Sequence, residues 1–166
     1  MNLYVVRHAD ALPVGGIVTR DFDRHLSPRG EEEAELMGRA LAHLDPNVDI
    51  IVTSPLVRAV ETGETIARQL SDHSLTHVST HLAPGFNNNT LFAELLALSA
   101  GSSIVAIGHQ PDVGTFISYL ITGNHDAAVA MSPGSIAKLV LEGSRPSGYL
   151  SWLLTPDAVK ALYTGL

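Results

Sequence analysis

Cysteine is absent from the 166 residues of this chain. Its absence excludes disulfide bonds, a thiolate nucleophile and any metal site with cysteine ligands. Such a composition fits a reducing compartment, and we expect a cytoplasmic protein. The sequence also lacks an apolar run long enough to cross a bilayer, and no basic stretch followed by a long apolar one opens it. It therefore predicts neither a membrane-spanning helix nor a signal peptide.

Basic residues are also scarce. The chain has 10 Lys and Arg against 17 Asp and Glu, which gives a formal net charge of -7 with neutral histidines. Sequence-independent binding of nucleic acid needs a basic surface, so this balance argues against it. A small anionic ligand stays compatible, because a few arginines can set the field inside one pocket. The length and the 45% of hydrophobic residues predict a single domain over residues 1–166.

Strand and helix signals alternate along the chain. Strands are predicted at 2–7, 48–53 and 103–107, with a short one at 77–80 and a final hairpin at 135–141 and 148–154. Helices are predicted to start at Ser27-Pro28, Ser54-Pro55, near residue 90, at Pro111 and at Thr155-Pro156, where hydroxyls or prolines mark helix N-termini. A polar loop is expected over 9–26. The alternation predicts an α/β fold, a three-layer αβα sandwich with a mainly parallel central sheet and an antiparallel edge strand.

Cationic and imidazole side chains follow three of the predicted strands. Arg7 and His8 end the first strand, Arg58 lies in the first turn of the helix after the second, and His109 follows the strand at 103–107. Because the carboxyl ends of parallel strands meet at one edge of a sheet, we expect these side chains to share a pocket. Two arginines could bind phosphate oxygens while one histidine attacks and the other stabilises the transferring group. The nearby guanidinium groups should disfavour imidazolium and keep the nucleophile neutral.

These motifs resemble those of a known family. Arg7-His8-Ala9 is similar to the Arg-His-Gly/Ala signature of the histidine phosphatase superfamily, whose fold is phosphoglycerate mutase-like. Residues 54–59 with Thr62, and residues 108–111, resemble its second and third motifs. The segment 21–30 and the short length look most like the SixA-type phosphohistidine phosphatases. The resemblance covers roughly residues 2 to 125, and three motifs in order are far more specific than any one of them.

The resemblance implies roles for individual residues. His8 would be the nucleophile that becomes phosphorylated, and Arg7 and Arg58 would bind the phosphate. His109 would complete the pocket and stabilise the transition state, and Arg24 would add a substrate contact. The resemblance implies no cofactor and no metal ion. The expected partner is a phosphorylated protein, such as a phosphotransfer domain, or a small phosphorylated substrate.

The sequence departs from the family pattern at the general acid. Larger members of the superfamily carry a Glu or Asp acid between the second and third motifs, but here no acidic residue lies between Asp72 and Glu94. An ester needs a proton on its leaving alkoxide, whereas the leaving nitrogen of phosphohistidine needs less help. The departure therefore favours phosphohistidine on a protein. His81, or a proton carried by the substrate, could replace the acid.

Other interpretations remain open. One is a small-molecule phosphomonoesterase, which needs an acid that the sequence does not show, and another is a non-catalytic phospho-binding module on the same fold. A mutase is disfavoured because no residues for a second phosphate are evident. His73, His77 and His81 recur every four residues, but they lie in a turn and a strand without carboxylate partners, so we expect no metal site there. The acidic run at 31–35 is expected to be solvated.

Overall fold

A six-stranded mixed sheet forms the centre of the protein in a computed structural model that describes residues 1–16, 18–70, 75–99, 103–127 and 129–164. Its strands are β1 (Asn2–Arg7), β2 (Ile50–Thr53), β3 (Leu75–Val78), β4 (Ile104–Gly108), β5 (Ile136–Leu141) and β6 (Gly148–Leu154). The order across the sheet is β3-β2-β4-β1-β5-β6. The first four of these strands run parallel, β5 is antiparallel to β1, and the edge strand β6 is antiparallel to β5. The predicted mainly parallel sheet is confirmed.

Five α-helices cover both faces of this sheet. They are α1 (Pro28–Leu44), α2 (Val57–Ala67), α3 (Asn88–Ser99), α4 (Asp112–Thr122) and α5 (Pro156–Thr164), with short 3-10 turns at Asp21–Asp23 and Thr80–Leu82. One buried cluster joins α1, α2 and α5 to the sheet, and a second joins α3 and α4 to the opposite face. The three-layer αβα sandwich predicted from the alternation is therefore confirmed. None of the described helices is long and apolar enough to cross a membrane.

Alternation along β1 shows how the two cores are divided. Tyr4 and Val6 are buried in the cluster with α1, α2 and α5, whereas Leu3 and Val5 are buried in the cluster with α3 and α4. Successive side chains of a strand point to opposite faces, so a strand covered on both sides is apolar throughout. This explains why residues 3–6 form a continuous apolar run.

Strand register brings the predicted site residues to one edge of the sheet. Arg7 lies opposite Gly108 in the parallel pair of β1 and β4, and the backbone N–H of His8 donates to the Gly108 carbonyl at 3.0 Å. The N–H of Ser54 donates to the carbonyl of Ile107 at 2.9 Å, which joins the end of β2 to β4. The chain segments that leave β1, β2 and β4 therefore start side by side.

Several predicted element boundaries were wrong by a few residues, including the start of β2, which is Ile50 rather than residue 48. The short strand is Leu75–Val78 rather than 77–80, and part of the expected polar turn, residues 71–74, lies outside the described residues. Helix α3 begins at Asn88 instead of near 90, because the side-chain oxygen of Asn87 accepts the N–H groups of residues 89 and 90 at 3.0 and 3.1 Å. An asparagine in this position caps a helix N-terminus.

The serines before the first two helices have different functions. Ser27 caps α1 as predicted, since its hydroxyl accepts the N–H of Gly30 at 3.0 Å. The prediction that Ser54 starts a helix in the same way was wrong, because α2 begins at Val57 and its N-cap position, Leu56, has no side-chain cap. The hydroxyl of Ser54 is instead available to the site.

The sequence predicted that the acidic run at 31–35 is solvated, and this prediction was wrong for one of its residues. Glu33 is buried, and its carboxylate accepts the backbone N–H of Asp10 at 3.0 Å and Nε of Arg29 at 2.8 Å. A buried carboxylate is stable when its oxygens are paired in this way. Glu33 therefore anchors the backbone just after the Arg-His pair.

Candidate active site

A cavity of about 290 Å³ opens at the carboxyl edge of the parallel strands. Four of the predicted residues line it together, and they come from three separate parts of the chain: Arg7, His8, Arg58 and His109. Arg24 lines it as well. The remaining lining residues are Asp10, Ala11, Pro84, Gln110, Pro111, Asp112 and Pro133. The convergence expected from the strand ends is confirmed, while the role of each residue stays a prediction.

His8 is held as a neutral imidazole with a defined tautomer. Its Nδ1–H donates to the carbonyl of Ala9 at 2.7 Å, and its Nε2 accepts Nε–H of Arg58 at 3.1 Å. Burial lowers the pKa of His8 to about 4, the hydrogen bond to Ala9 opposes this shift, and the charges of Arg58, Arg7 and Arg24 add to it. Nε2 therefore carries the lone pair, which is engaged by Arg58 here and attacks an electrophile once that hydrogen bond is released.

His109 provides a second neutral imidazole. Its ring centroid lies 5.0 Å from that of His8 with the planes inclined by 54°, and its Nε2 is 2.8 Å from Oγ of Ser54. Burial, with smaller contributions from nearby His8 and Arg58, lowers the pKa of His109 to about 3. Its buried Nδ1 has no hydrogen-bond partner in the described part of the chain. An unpaired buried ring nitrogen beside the nucleophile can bind an incoming ligand.

Arg7 presents an unsatisfied donor in the same place. Its Nη1 donates to the carbonyl of Met131 at 2.7 Å, which fixes the guanidinium, but the buried Nε has no partner among the described residues. Burial lowers the pKa of Arg7, and the charges of Asp10 and Glu33 oppose the shift. A guanidinium in the wall of this cavity, with one N–H unpaired, is suited to an oxyanion.

Thr62 connects the nucleophile strand to the arginine helix, a role that sequence reasoning missed. Its hydroxyl accepts the backbone N–H of Ala9 at 3.1 Å and donates to the carbonyl of Arg58 at 2.6 Å. The family motif included this threonine, but nothing in the sequence showed which atoms it joins. One hydroxyl thus joins the backbone just after His8 to the first turn of α2, which carries Arg58.

Arg24 lines the cavity, but most of its donors serve the loop. Its Nε donates to the carbonyl of Leu12 at 2.5 Å, Nη2 to the carbonyl of Ala11 at 3.1 Å, and Nη1 to the carboxylate of Asp21 at 3.1 Å. Arg24 therefore holds the loop closed beside the cavity. Its predicted contact with substrate is still a prediction.

Comparison with known proteins agrees with this geometry. The model of the histidine phosphatase superfamily (branch 1) matches residues 3–83. An uncharacterised protein of Picosynechococcus sp. is 34% identical over 131 residues, which cover 75% of this chain and 78% of that protein. Phosphohistidine phosphatase SixA of Escherichia coli is 27% identical over 162 residues, 96% of this chain and 97% of that protein. The chain belongs to the histidine phosphatase superfamily.

The fold of this histidine phosphatase matches a solved relative over nearly its full length. The structure of the protein histidine phosphatase SixA complexed with tungstate superimposes with a TM-score of 0.84 and 27% sequence identity. The superposition covers 95% of this chain and 98% of that one. The phosphoglycerate mutase-like fold implied by the motifs is therefore confirmed.

The segment where larger family members carry an acid brings a proline to the cavity here. Pro84 lines it, while His81 is half exposed, absent from the lining residues, and bonded through Nδ1 to Glu94 at 3.0 Å. Two carboxylates do line the cavity, and sequence reasoning missed Asp112. One oxygen of Asp112 accepts the N–H of Gly85 at 2.8 Å, and one of Asp10 accepts the hydroxyl of Ser27 at 2.5 Å.

The expectation that the spaced histidines lack a carboxylate partner was wrong. Glu94 lies 3.5 Å from Nε2 of His77 and 3.0 Å from Nδ1 of His81, and it also accepts the hydroxyl of Ser79 at 2.5 Å. His73 lies outside the described residues. Within those residues, no group of three or more His, Asp or Glu side chains is arranged to hold a metal ion.

The lowered pKa values predict a distinctive pH dependence. We expect the rings of His8 and His109 to stay neutral until the pH falls to about 4 and about 3, well below the ordinary histidine value of 6.5. Unfolded histidines take up protons near 6.5, so the free energy of unfolding should decrease as the pH falls from there towards 4. Ring NMR signals, assigned with His8→Ala and His109→Ala, measure both titrations. A midpoint near 6.5 for either ring would contradict the burial argument.

Proposed function

We propose that this histidine phosphatase removes the phosphoryl group from phosphohistidine on a protein, through a phosphorylated His8 and without a metal ion. The observation that carries the proposal is the neutral Nε2 of His8, 3.1 Å from Nε of Arg58 in a cavity lined by three arginines. A neutral nucleophile surrounded by fixed cations is what transfer of a dianionic group needs.

The proposed reaction has two displacements at phosphorus. In the first, Nε2 of His8 bonds to phosphorus, the P–N bond of the substrate breaks, and its electron pair goes to the leaving imidazole nitrogen. In the second, water attacks phospho-His8, the P–Nε2 bond breaks, and the water proton leaves with inorganic phosphate or solvent. Arg7 and Arg58 neutralise the phosphoryl oxygens in both steps, and His109 with its unpaired Nδ1 binds a third oxygen.

The chemistry of the leaving group supports phosphohistidine as the substrate. An imidazole protonated on its far nitrogen leaves as a neutral molecule, so no enzyme acid has to protonate it in the transition state. An ester-cleaving relative would carry its acid between the second and third motifs. In this chain that segment contributes Pro84 to the cavity wall. This arrangement supports a phosphoramidate substrate over an alkyl phosphate.

A protein-sized substrate fits the surroundings of the cavity. The loop after β1 carries exposed Leu12, Val14 and Phe22, which are 36%, 53% and 46% accessible, close to Ala11 and Arg24 of the cavity wall. The name of the Escherichia coli relative, phosphohistidine phosphatase, supports the same substrate. We propose a phosphotransfer domain as the partner and the cytoplasm as the site of action, which fits the absence of cysteine.

The test is release of inorganic phosphate from a histidine-phosphorylated phosphotransfer domain, run beside p-nitrophenyl phosphate and in excess EDTA. We expect fast release from phosphohistidine, slow release from the ester, and no effect of EDTA. Efficient hydrolysis of esters would support the small-molecule phosphomonoesterase instead, and inhibition by EDTA would contradict metal independence. Binding of both substrates without turnover of either would favour the non-catalytic module.

A further inference from the structure

Asp21 is an exposed residue with an unusual partner. It opens the 3-10 turn Asp21–Asp23 in the loop after β1, and its side chain is 57% accessible. The side chain it binds, Arg58, is only 5% accessible and reaches the nucleophile. The contact thus joins a surface loop to the centre of the proposed active site.

The hydrogen bonds of Arg58 are divided between Asp21 and His8. Nη1 donates to the backbone carbonyl of Asp21 at 2.7 Å, Nη2 donates to its Oδ2 at 3.0 Å, and Nε donates to Nε2 of His8 at 3.1 Å. A guanidinium has five N–H groups in one plane. Three of these N–H groups donate to Asp21 and His8, so the plane of the Arg58 guanidinium is fixed. The two remaining N–H groups are left for an oxyanion.

The same carboxylate also holds a second arginine. Its Oδ1 accepts Nη1 of Arg24 at 3.1 Å, so Asp21 bridges two of the three arginines that line the cavity. Burial opposes ionisation of Asp21, but the hydrogen bonds from Arg24 and Arg58 outweigh it and lower the pKa of its carboxyl below 3.8. Asp21 is therefore a carboxylate at neutral pH and cannot donate a proton there.

A negative charge beside an anion site is a cost to anion binding. The negative charge of Asp21 repels an incoming phosphoryl group. It also partly neutralises the two guanidinium groups that attract this group. Its benefit must lie in the orientation of those groups, because preorganised donors stabilise a transition state more than donors that must first turn. Asp23, two residues away, shows the contrast, since it pairs with the exposed Arg20 at 2.6 and 2.9 Å.

We propose that Asp21 is a positioning residue that orients Arg58 towards the phosphoryl group on His8 and weakens ground-state binding of anions in return. This inference rests on the proposed function, because the oriented group is the one that His8 would receive. It assigns the loop after β1 a part in turnover and not only in docking.

The proposal predicts opposite effects of one substitution on binding and on turnover. Asp21→Asn keeps the backbone carbonyl contact and the size of the side chain, but removes the charge. We expect kcat for phosphohistidine to fall about 10-fold to 100-fold, the scale of a lost charge-assisted hydrogen bond. Tungstate, used as an oxyanion probe, should bind about threefold tighter because a repulsive charge is gone. Asp23→Asn should change neither quantity by more than about twofold, as expected for an exposed pair.

A double-mutant cycle separates positioning from a general effect on the loop. Asp21→Asn should cost little in the Arg58→Lys background, because lysine has no planar fork to orient. Equal losses of kcat and tungstate affinity, or additive losses in the cycle, would overturn the proposal. If the unmodified enzyme shows no turnover, the proposed function fails, and unchanged tungstate affinity in Asp21→Asn would then overturn the inference separately.

Discussion

His8→Ala should lower kcat for release of phosphate from phosphohistidine by about 10⁴-fold or more, since covalent catalysis is lost with its nucleophile. The substitution removes the Nε2 lone pair that Arg58 contacts at 3.1 Å. The other imidazole that lines the cavity, His109, cannot replace it because its Nε2 is bonded to Ser54. Acid-labile phosphoenzyme should disappear at the same time. Quenched-flow assays with radiolabelled substrate measure both quantities.

Binding should survive this substitution, because the oxyanion donors remain in place. We expect the tungstate affinity of His8→Ala to stay within about tenfold of the original, since Arg7, Arg58 and His109 still line the cavity. His43→Ala is the matched control, since that histidine is exposed in the last turn of α1 and should leave kcat unchanged. Turnover retained in His8→Ala would contradict the phospho-His8 intermediate.

Arg58→Ala should lower kcat/KM for phosphohistidine by about 10³-fold, at the upper end of what loss of one oxyanion donor costs. This side chain donates to His8 and is a buried cation beside the reacting nitrogen, whereas Arg7 is only partly buried. Loss of Arg58 also leaves Arg24 as the one arginine that contacts the Asp21 carboxylate in the described part of the chain. Steady-state kinetics at fixed pH measure the change.

Arg58→Lys tests whether charge or geometry matters more. Lysine keeps the positive charge but lacks the Nε–H and the planar fork, so we expect a loss of about 10-fold to 100-fold, between the original and the alanine variant. Arg68→Lys is the matched control at the end of the same helix, where Nη2 donates to Thr65 at 2.8 Å, and it should keep full activity. Equal activity of Arg58→Lys and the original enzyme would show that only the charge is needed.

The fold could be predicted because its local signals agree with its packing. The apolar run at residues 3–6 belongs to a strand covered on both faces, and Ser27 caps a helix whose core face follows the expected spacing. Where the sequence misled, two uses of one residue type competed. Ser54 followed by proline has the pattern of a cap, yet its hydroxyl binds His109, and only the tertiary structure places that ring within reach.

The site was predictable in its composition and less so in its supporting contacts. Strand ends converge by a general rule, so Arg7, His8, Arg58 and His109 could be placed together from the sequence. The carboxylate of Asp21 could not, because its contact with Arg58 depends on the path of a loop that no periodicity describes. Burial of Glu33 was missed for a related reason, since its partner is a backbone N–H, which the sequence never marks.

The hydroxyl of Thr62 has a consequence for how this architecture can vary. His8 and Arg58 are separated by 50 positions, but the path between them through Thr62 uses only a few bonds. Changes in the length of the intervening chain therefore need not displace the nucleophile from its cation. A lineage could lengthen or shorten the loop after β1, and so exchange one class of phosphorylated partner for another, while the spacing of the reacting groups stays constant.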